Sequence, residues 1–270
     1  MPCLAAAWPH NLPLLRNAPT FQYPGGKLPT NRKALVTGAS RGIGAATALK
    51  LAQRGYDVAL NFRNKAPRAE QVANQIAAIG HKALMAQADI TNPAEVATMM
   101  TFIASEFGYL DALILNASGG LEAKKADDYA MTLNLTAQMS VTTAAAELLQ
   151  PGGRIVFVTS HWAHFYGSKP VMPVYEPVAK SKRAGEDALR EYSIQLSNKG
   201  ISLIVVSGDA IEGTITPRLL ERKSRGQSES SPAKPRLLPT VDAFAEAIAD
   251  ATVDSKLVNG QTIFVGSTDW

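Results

Sequence analysis

Residues 33–44 read KALVTGASRGIG, and this stretch decides the fold. The apolar run Ala34–Thr37 predicts a buried strand, and a turn with Gly38 and Gly42 separates it from a helical pattern that begins at Ile43 and includes Gly44. Glycines at such a place let the backbone turn sharply, approach a pyrophosphate closely and pack the helix on the strand. The helix N-terminus would then face the phosphates. The stretch predicts a dinucleotide site, with an ordinary turn as the alternative.

The remainder of the chain continues the alternation of strand and helix. Apolar, often β-branched runs predict strands at Ala34–Thr37, Asp57–Phe62, Lys82–Gln87, Ala112–Leu115, Arg154–Thr159, Ser202–Ser207 and Thr262–Val265. Helical patterns cover Ile43–Arg54, Ala69–Ile79, Ala94–Phe107, Ala126–Leu149, Val178–Ser197 and Val241–Ala251. Continuously apolar strand cores are typical of strands covered by helices on both faces. We therefore expect an α/β fold: one Rossmann-type, doubly wound, parallel seven-stranded sheet with helices on both faces.

Composition and charge narrow the classes of function. The 270 residues are 46% hydrophobic and 19% charged, which suits one well-filled domain. The net charge of +4 is scattered without a basic run, so we expect no nucleic-acid partner. No apolar stretch has the length of a membrane span, so we expect no membrane partner. Cys3 is the only cysteine, which excludes an intrachain disulfide and favours a cytoplasmic location.

Two segments depart from the strand and helix rhythm. Residues 1–31 are interrupted by prolines and predict an extended N-terminal arm, or sequence upstream of the true start. Residues 32–270 then form the dinucleotide-binding domain. Within it, residues 212–239 include a stretch rich in Ser, Lys, Arg and Pro, which predicts a mobile substrate loop or a disordered one.

The residues after the second predicted strand indicate which dinucleotide binds. Proteins that prefer NAD usually carry an acidic residue there to hold the ribose hydroxyls. This chain has Arg63 instead, and Arg41 lies in the glycine turn. Guanidinium groups form charge-assisted hydrogen bonds with a ribose 2′-phosphate, so NADPH is the expected cofactor. The alternative is that both arginines are merely solvated.

Several spaced motifs together resemble the short-chain dehydrogenase/reductase family, from about Lys33 to Val265. The resemblance implies that Asn134 holds a proton-relay water and that Ser160 is the catalytic serine. It places Asp89 at the adenine. The expected cofactor-binding residues are Gly38, Ser40, Arg41, Gly42, Ile43, Gly44, Arg63, Asp89, Ile90, Asn116, Ala117, Ser118, Lys182 and Ile211.

The catalytic tyrosine and lysine depart from the commonest family pattern, in which Tyr precedes Lys by four residues. Val178 stands at that place before Lys182, and the nearest tyrosine, Tyr175, lies seven residues before the lysine. On a regular helix seven residues return to within roughly 20° of the same direction, whereas the rival Lys180 would be turned by about 140°. Pro177 suits a first helical turn, so Tyr175 is expected just ahead of the helix. We expected the lysine ammonium to favour the phenolate of Tyr175 and so lower its pKa.

The Tyr-x6-Lys spacing resembles NADPH-dependent enoyl-acyl-carrier-protein reductases of the same superfamily. The segment 206–211 points the same way, because ordinary carbonyl reductases have Pro-Gly where this chain has Gly208-Asp209. The resemblance therefore favours reduction of the C=C bond of an enoyl thioester. Ser160 suits a ketone, so a carbonyl reductase acting on a 3-oxoacyl thioester or another ketone stays open. A catalytically silent NADP-binding regulator is a third hypothesis, suggested by Val178.

The resemblance also bears on partners. It implies a small-molecule or acyl-thioester substrate, with acyl carrier protein as a possible donor, and a homo-oligomer such as a tetramer. No metal is expected, because no carboxylate or thiolate cluster completes a shell around the two histidines that follow Ser160. These histidines, His161 and His164, are expected to line the substrate side.

Overall fold

The computed structural model describes residues 31–122, 126, 128–211 and 238–269. These residues form a single sheet of seven parallel strands in the order β3-β2-β1-β4-β5-β6-β7, which confirms the predicted α/β fold. The strands are β1 (Arg32–Val36), β2 (Tyr56–Phe62), β3 (Ala83–Gln87), β4 (Leu110–Leu115), β5 (Leu149–Ser160), β6 (Ser202–Gly208) and β7 (Thr262–Val265).

Helices connect the strands and cover both faces of the sheet. They are α1 (Gly42–Gln53), α2 (Ala66–Ala78), α3 (Pro93–Phe107), α4 (Tyr129–Met131), α5 (Ala137–Ala145), α6 (His161–His164), α7 (Glu176–Ser197) and α8 (Val241–Val253). Side chains of Asn92 and Thr240 cap the first turns of α3 and α8. None of the helices in the described ranges has the length and apolar character needed to cross a membrane. Apart from residues 31, 238 and 239, the predicted arm and the predicted substrate loop lie outside the described residues.

Two apolar layers hold the helices on the sheet. On one face α3, α5 and α7 contribute buried residues such as Val96, Ile103, Val141 and Leu189. On the other face α1, α2 and α8 contribute Leu51, Ile76, Phe244 and Ile248. Because both faces are covered, the central strands are apolar at almost every position.

The predicted helix over Ala126–Leu149 is wrong as a single element. A π-helix at Thr132–Thr136 stands between α4 and α5, and β5 already begins at Leu149. A π-turn adds one residue per turn, which barely changes the hydrophobic spacing that the prediction used. The short helix α6 and a 3₁₀ turn at Pro173–Tyr175 were also missed, since elements of three or four residues leave no periodicity.

The strand order locates the functional end of the sheet. β1 pairs with β2 on one side and with β4 on the other. The chain therefore adds β2 and β3 on one side of β1 and then crosses to add β4 to β7 on the other side, so the strand order reverses at β1. A crevice opens outside the carboxyl ends of the strands at such a reversal, and ligands of open α/β sheets bind there. Gly38 follows β1 and Asn116 follows β4 at this point.

Candidate active site

The glycine turn after β1 is built for close backbone approach. Gly38 and Gly42 have positive φ values of 67° and 55°, which favour glycine. A Cβ on Gly44 would lie 2.4 Å from the carbonyl oxygen of Gly38, so this position accepts no side chain. Asn61 on β2 holds the turn, because its Oδ1 accepts a hydrogen bond of 3.3 Å from the Gly38 amide. The cradle therefore fits a pyrophosphate at the N-terminus of α1.

Thr37 and Asn116 hold the ends of β1 and β4 together. Thr37 Oγ1 accepts hydrogen bonds from the amides of Asn116 (2.9 Å) and Ala117 (3.0 Å). Asn116 Nδ2 donates to the Thr37 carbonyl at 2.9 Å. Sequence reasoning missed the roles of Thr37 and Asn61. Both are buried polar residues in predicted strands that are otherwise mainly apolar, and this pattern could have indicated them.

An exposed guanidinium lies directly after β2, beside Asp89. Arg63 Nη1 lies 3.4 Å from Asp89 Oδ2 and donates to the hydroxyl of Tyr129 at 3.2 Å. The Arg63 side chain stays 41% exposed and is accessible to a phosphate. Arg41 is exposed at the start of α1, and Ile90 is buried beside Asp89. Tyr129 was not predicted, because its contact with Arg63 joins residues 66 positions apart.

A cavity of about 160 Å³ lies at the carboxyl ends of β4, β5 and β6. Of the predicted site residues, it brings together Ile43, Asn116, Ser118, Ser160, Tyr175, Lys182 and Ile211. Trp162 and Asp209 also line it, and neither was predicted as a site residue.

Tyr175 and Ser160 form a hydroxyl pair in this cavity. Tyr175 ends the 3₁₀ turn and lies just ahead of α7, and its hydroxyl is 3.1 Å from Ser160 Oγ. Ser160 ends β5, and its Oγ also accepts a hydrogen bond of 3.3 Å from the Ala163 amide, which fixes its rotamer. Burial raises the pKa of Tyr175, and the hydrogen bond with Ser160 opposes that rise only in part. The expected lowering of this pKa is therefore wrong, since burial of the phenolate outweighs the favourable contacts.

The structure distinguishes the two candidate lysines. Lys182 is buried and lines the cavity with Tyr175, whereas Lys180 is exposed. Burial lowers the pKa of Lys182 to about 8, against the opposing charge of Glu186. Val178, at the customary tyrosine position, packs in an apolar cluster and faces Gly120, where an added Cβ would come within 3.0 Å of Val178 Cγ2.

Asn134 lies in the π-helix, close to α7. Its Nδ2 donates to the Gly119 carbonyl at 2.8 Å and to Ser181 Oγ at 3.0 Å. A Cβ added to Gly185 on α7 would lie 2.1 Å from the backbone carbonyl oxygen of Asn134, so α7 and the π-helix are in direct contact at this point. Asn134 is therefore fixed beside the segment that carries Lys182.

The two histidines after Ser160 have different surroundings. His161 lines the cavity, and its Nδ1 is 2.8 Å from Ser207 Oγ. His164 was also expected on the substrate side, but its Nδ1 instead bonds the carboxylate of Glu186. His164 therefore faces Glu186 on α7, whereas His161 faces the cavity.

The chain belongs to the short chain dehydrogenase family, whose model matches residues 32–223. It is thus an oxidoreductase with a Rossmann-like fold. It is 33% identical over 211 residues to a hydroxynaphthalene reductase of Aspergillus fumigatus, covering 76% of each chain. A short chain dehydrogenase of Burkholderia cenocepacia, solved in complex with NADP, is 30% identical with a TM-score of 0.71, covering 87% of this chain and 96% of that one. The angucycline C-6 ketoreductase LanV, solved with bound NADP, is 27% identical with a TM-score of 0.71, covering 88% and 95%.

Proposed function

We propose that this protein reduces a ketone to a secondary alcohol with NADPH. The oxidoreductase class and the dependence on NADP(H) agree with the relatives that carry NADP. The observation that carries the choice of a carbonyl substrate is the pair of hydroxyls on Ser160 and Tyr175, which lie 3.1 Å apart in the same cavity.

The geometry supports this choice because two hydroxyl donors converge on one point. A carbonyl oxygen between Ser160 and Tyr175 accepts a hydrogen bond from each, and the charge that develops on it is stabilised there. When bound, NADPH supplies a hydride to the carbonyl carbon. Tyr175 then gives its proton to the substrate oxygen as general acid. Lys182 lines the same cavity as Tyr175 and is proposed to replace that proton, and Asn134 is proposed to hold the relay water.

The residues of the crevice fit the cofactor. A pyrophosphate lies against the cradle of Gly38, Gly42 and Gly44, which a side chain at residue 44 would fill. We assign the ribose 2′-phosphate to Arg63, with Arg41 in support and Tyr129 as an added hydroxyl donor. Asn116, Ala117 and Ser118 are proposed to contact the cofactor as the family's Asn-Ala-Gly element, with serine where glycine is usual.

The relatives of this chain count against the enoyl-thioester hypothesis, which rests on the Tyr-x6-Lys spacing and on Gly208-Asp209. The relatives described above include a hydroxynaphthalene reductase and a ketoreductase, which favours carbonyl reduction for this chain also. A small-molecule ketone is therefore the proposed substrate. Homo-oligomeric assembly, a cytoplasmic location and contact with acyl carrier protein stay predictions.

A substrate panel tests the proposal. Purified protein is assayed with NADPH and with NADH against cyclic aromatic ketones, acetoacetyl thioesters and crotonyl thioesters. We expect NADPH-dependent turnover of ketones and none of the crotonyl series. Turnover of crotonyl thioesters alone would restore the enoyl hypothesis. NADPH binding without turnover of any substrate would instead favour the regulator.

A further inference from the structure

Glu186 is a fully buried carboxylate on α7, one helical turn after Lys182. His164 Nδ1 lies 2.8 and 3.0 Å from its two oxygens and donates to them. Arg190 lies one further helical turn along α7. Its Nε donates to Glu186 Oε1 at 2.9 Å, and its Nη2 is 2.8 Å from the same oxygen. Burial alone would raise the pKa of Glu186, but the hydrogen bonds and charges of His164 and Arg190 outweigh it and hold this pKa below its usual value. The group is therefore an anion.

The bonds of Glu186 join the parts of the structure that carry the catalytic groups. His164 belongs to α6, which begins directly after Ser160. Arg190 continues the connection to the edge of the sheet, where it donates to the Gly260 carbonyl and, at 2.7 Å, to Thr262 Oγ1 on β7. A buried carboxylate thus ties the segment behind Ser160 to the helix of Lys182.

The charge of Glu186 also acts on Lys182. Burial lowers the pKa of the lysine, and the Glu186 carboxylate opposes this effect, which leaves the value at about 8. The titratable groups that line the same cavity from other elements are His161 on α6, Tyr175 ahead of α7 and Asp209 after β6. Glu186 is the group whose charge favours the ammonium form.

We propose that Glu186 is a positioning residue for catalysis: its buried carboxylate fixes α6, behind Ser160, against α7 and places a negative charge one helical turn from the ammonium group of Lys182. This inference rests on the proposed reductase function, because Lys182 needs its proton only if Tyr175 is to be reprotonated. An isosteric loss of the charge would leave the cavity in place and make the lysine neutral at a lower pH.

Glu186→Gln is the direct test, and Asp187→Asn is its matched control. Asp187 is the neighbouring acid, but it pairs with Arg183 at the surface. In E186Q we expect the alkaline limb of the pH profile of kcat to move to lower pH by roughly 1 unit. The reason is that the variant removes a buried negative charge one helical turn from Lys182. The limb should stay in place in D187N.

Arg190→Gln supplies a test in the opposite direction. It leaves Glu186 with its charge and removes a competing cation, so the same limb should move to higher pH. This variant also carries the test if E186Q does not fold. An alkaline limb that moves in neither variant would overturn the inference.

A failure of the proposed function is distinguishable from a failure of this inference. Wild-type protein that turns over no ketone would contradict the function. In that case the pH dependence of NADPH binding, followed by nicotinamide fluorescence, reports the ionisation of Lys182 without turnover. An identical binding profile in wild type, E186Q and R190Q would then overturn the inference separately.

Discussion

The hydroxyl oxygens of Ser160 and Tyr175 lie 3.1 Å apart, although 15 positions separate the residues in the chain. One hydroxyl stands at the end of a strand and the other at the end of a 3₁₀ turn, so neither depends on the phase of a long helix. The pair can therefore tolerate Val178 at the customary tyrosine position. The chemistry of this hydroxyl pair can be tested at Tyr175.

Tyr175→Phe should lower kcat about 10²–10⁴-fold, because it removes the general acid and leaves the ring in place. The dissociation constant for NADPH should stay close to the wild-type value. Tyr166→Phe is the matched control, because it removes a hydroxyl that bonds Glu176 outside the cavity. Stopped-flow measurement of NADPH oxidation checks both variants. Equal rates in Y175F and wild type would contradict the assignment.

Arg63→Ala should raise the KM for NADPH about 10–100-fold, since a hydrogen bond to a charged group contributes about 1.5–3 kcal/mol. The KM for NADH should change little, because NADH has no 2′-phosphate. Arg68→Ala removes another exposed arginine, on α2, and serves as the control. Steady-state kinetics with both cofactors check the prediction, and an equal loss with NADH would argue against phosphate recognition by Arg63.

Gly185→Ala should destabilise the protein by about 1–3 kcal/mol through overpacking, because the new Cβ would meet the Asn134 carbonyl oxygen at 2.1 Å. Helix propensity alone predicts the opposite, a gain of up to about 1 kcal/mol. Ala184→Gly, at the preceding position, measures the size of that propensity effect. Urea denaturation compares the two variants. A more stable G185A would show that α7 can move away from the π-helix at no cost.

Lys182→Met should stabilise the folded protein at pH 7 by about 3 kcal/mol while abolishing turnover. The folded-state pKa of about 8 lies below the ordinary value of 10.5, so the unfolded chain binds the proton more tightly. Below pH 8 the wild type bears the full cost of a buried ammonium ion, and this cost decreases as the pH rises toward 10.5. The advantage of K182M should therefore shrink across that interval.

The control for this prediction is Lys180→Met, which changes an exposed lysine of the same helix. It should leave the free energy of unfolding nearly unchanged at every pH. Urea denaturation of the three proteins between pH 7 and pH 10 measures the difference. If the difference in the free energy of unfolding between K182M and wild type stays constant with pH, the buried amine of Lys182 does not titrate in this range.

Much of the fold could be predicted because its signals are local. The glycine turn, the apolar strands and the order of elements follow from residue type and spacing, and β7 has the predicted bounds Thr262–Val265. The ends of other strands shift, as in β5, which begins at Leu149 where Arg154 was predicted. An exposed stretch of strand lacks the apolar pattern that marks its buried part.

The site was harder to predict because burial and pairing are properties of the folded chain. Seven-residue spacing indicated Lys182, and its buried place in the cavity agrees with that choice. The direction of the Tyr175 pKa was wrong, because the sequence does not give the depth at which the phenol lies. The bond between His164 and Glu186 joins residues 22 positions apart, and no local pattern indicates it.

The contact at Gly185 constrains how this protein can be recombined with its homologues. The π-helix comes from the amino-terminal part of the sheet and α7 from the carboxyl-terminal part, and they meet where only a hydrogen atom fits. A chimaera of two such proteins that is joined between the π-helix and α7 must therefore inherit glycine at this crossing, whichever parent supplies the substrate pocket. Shuffled libraries that ignore this pairing would lose folded members before any selection for new substrates begins.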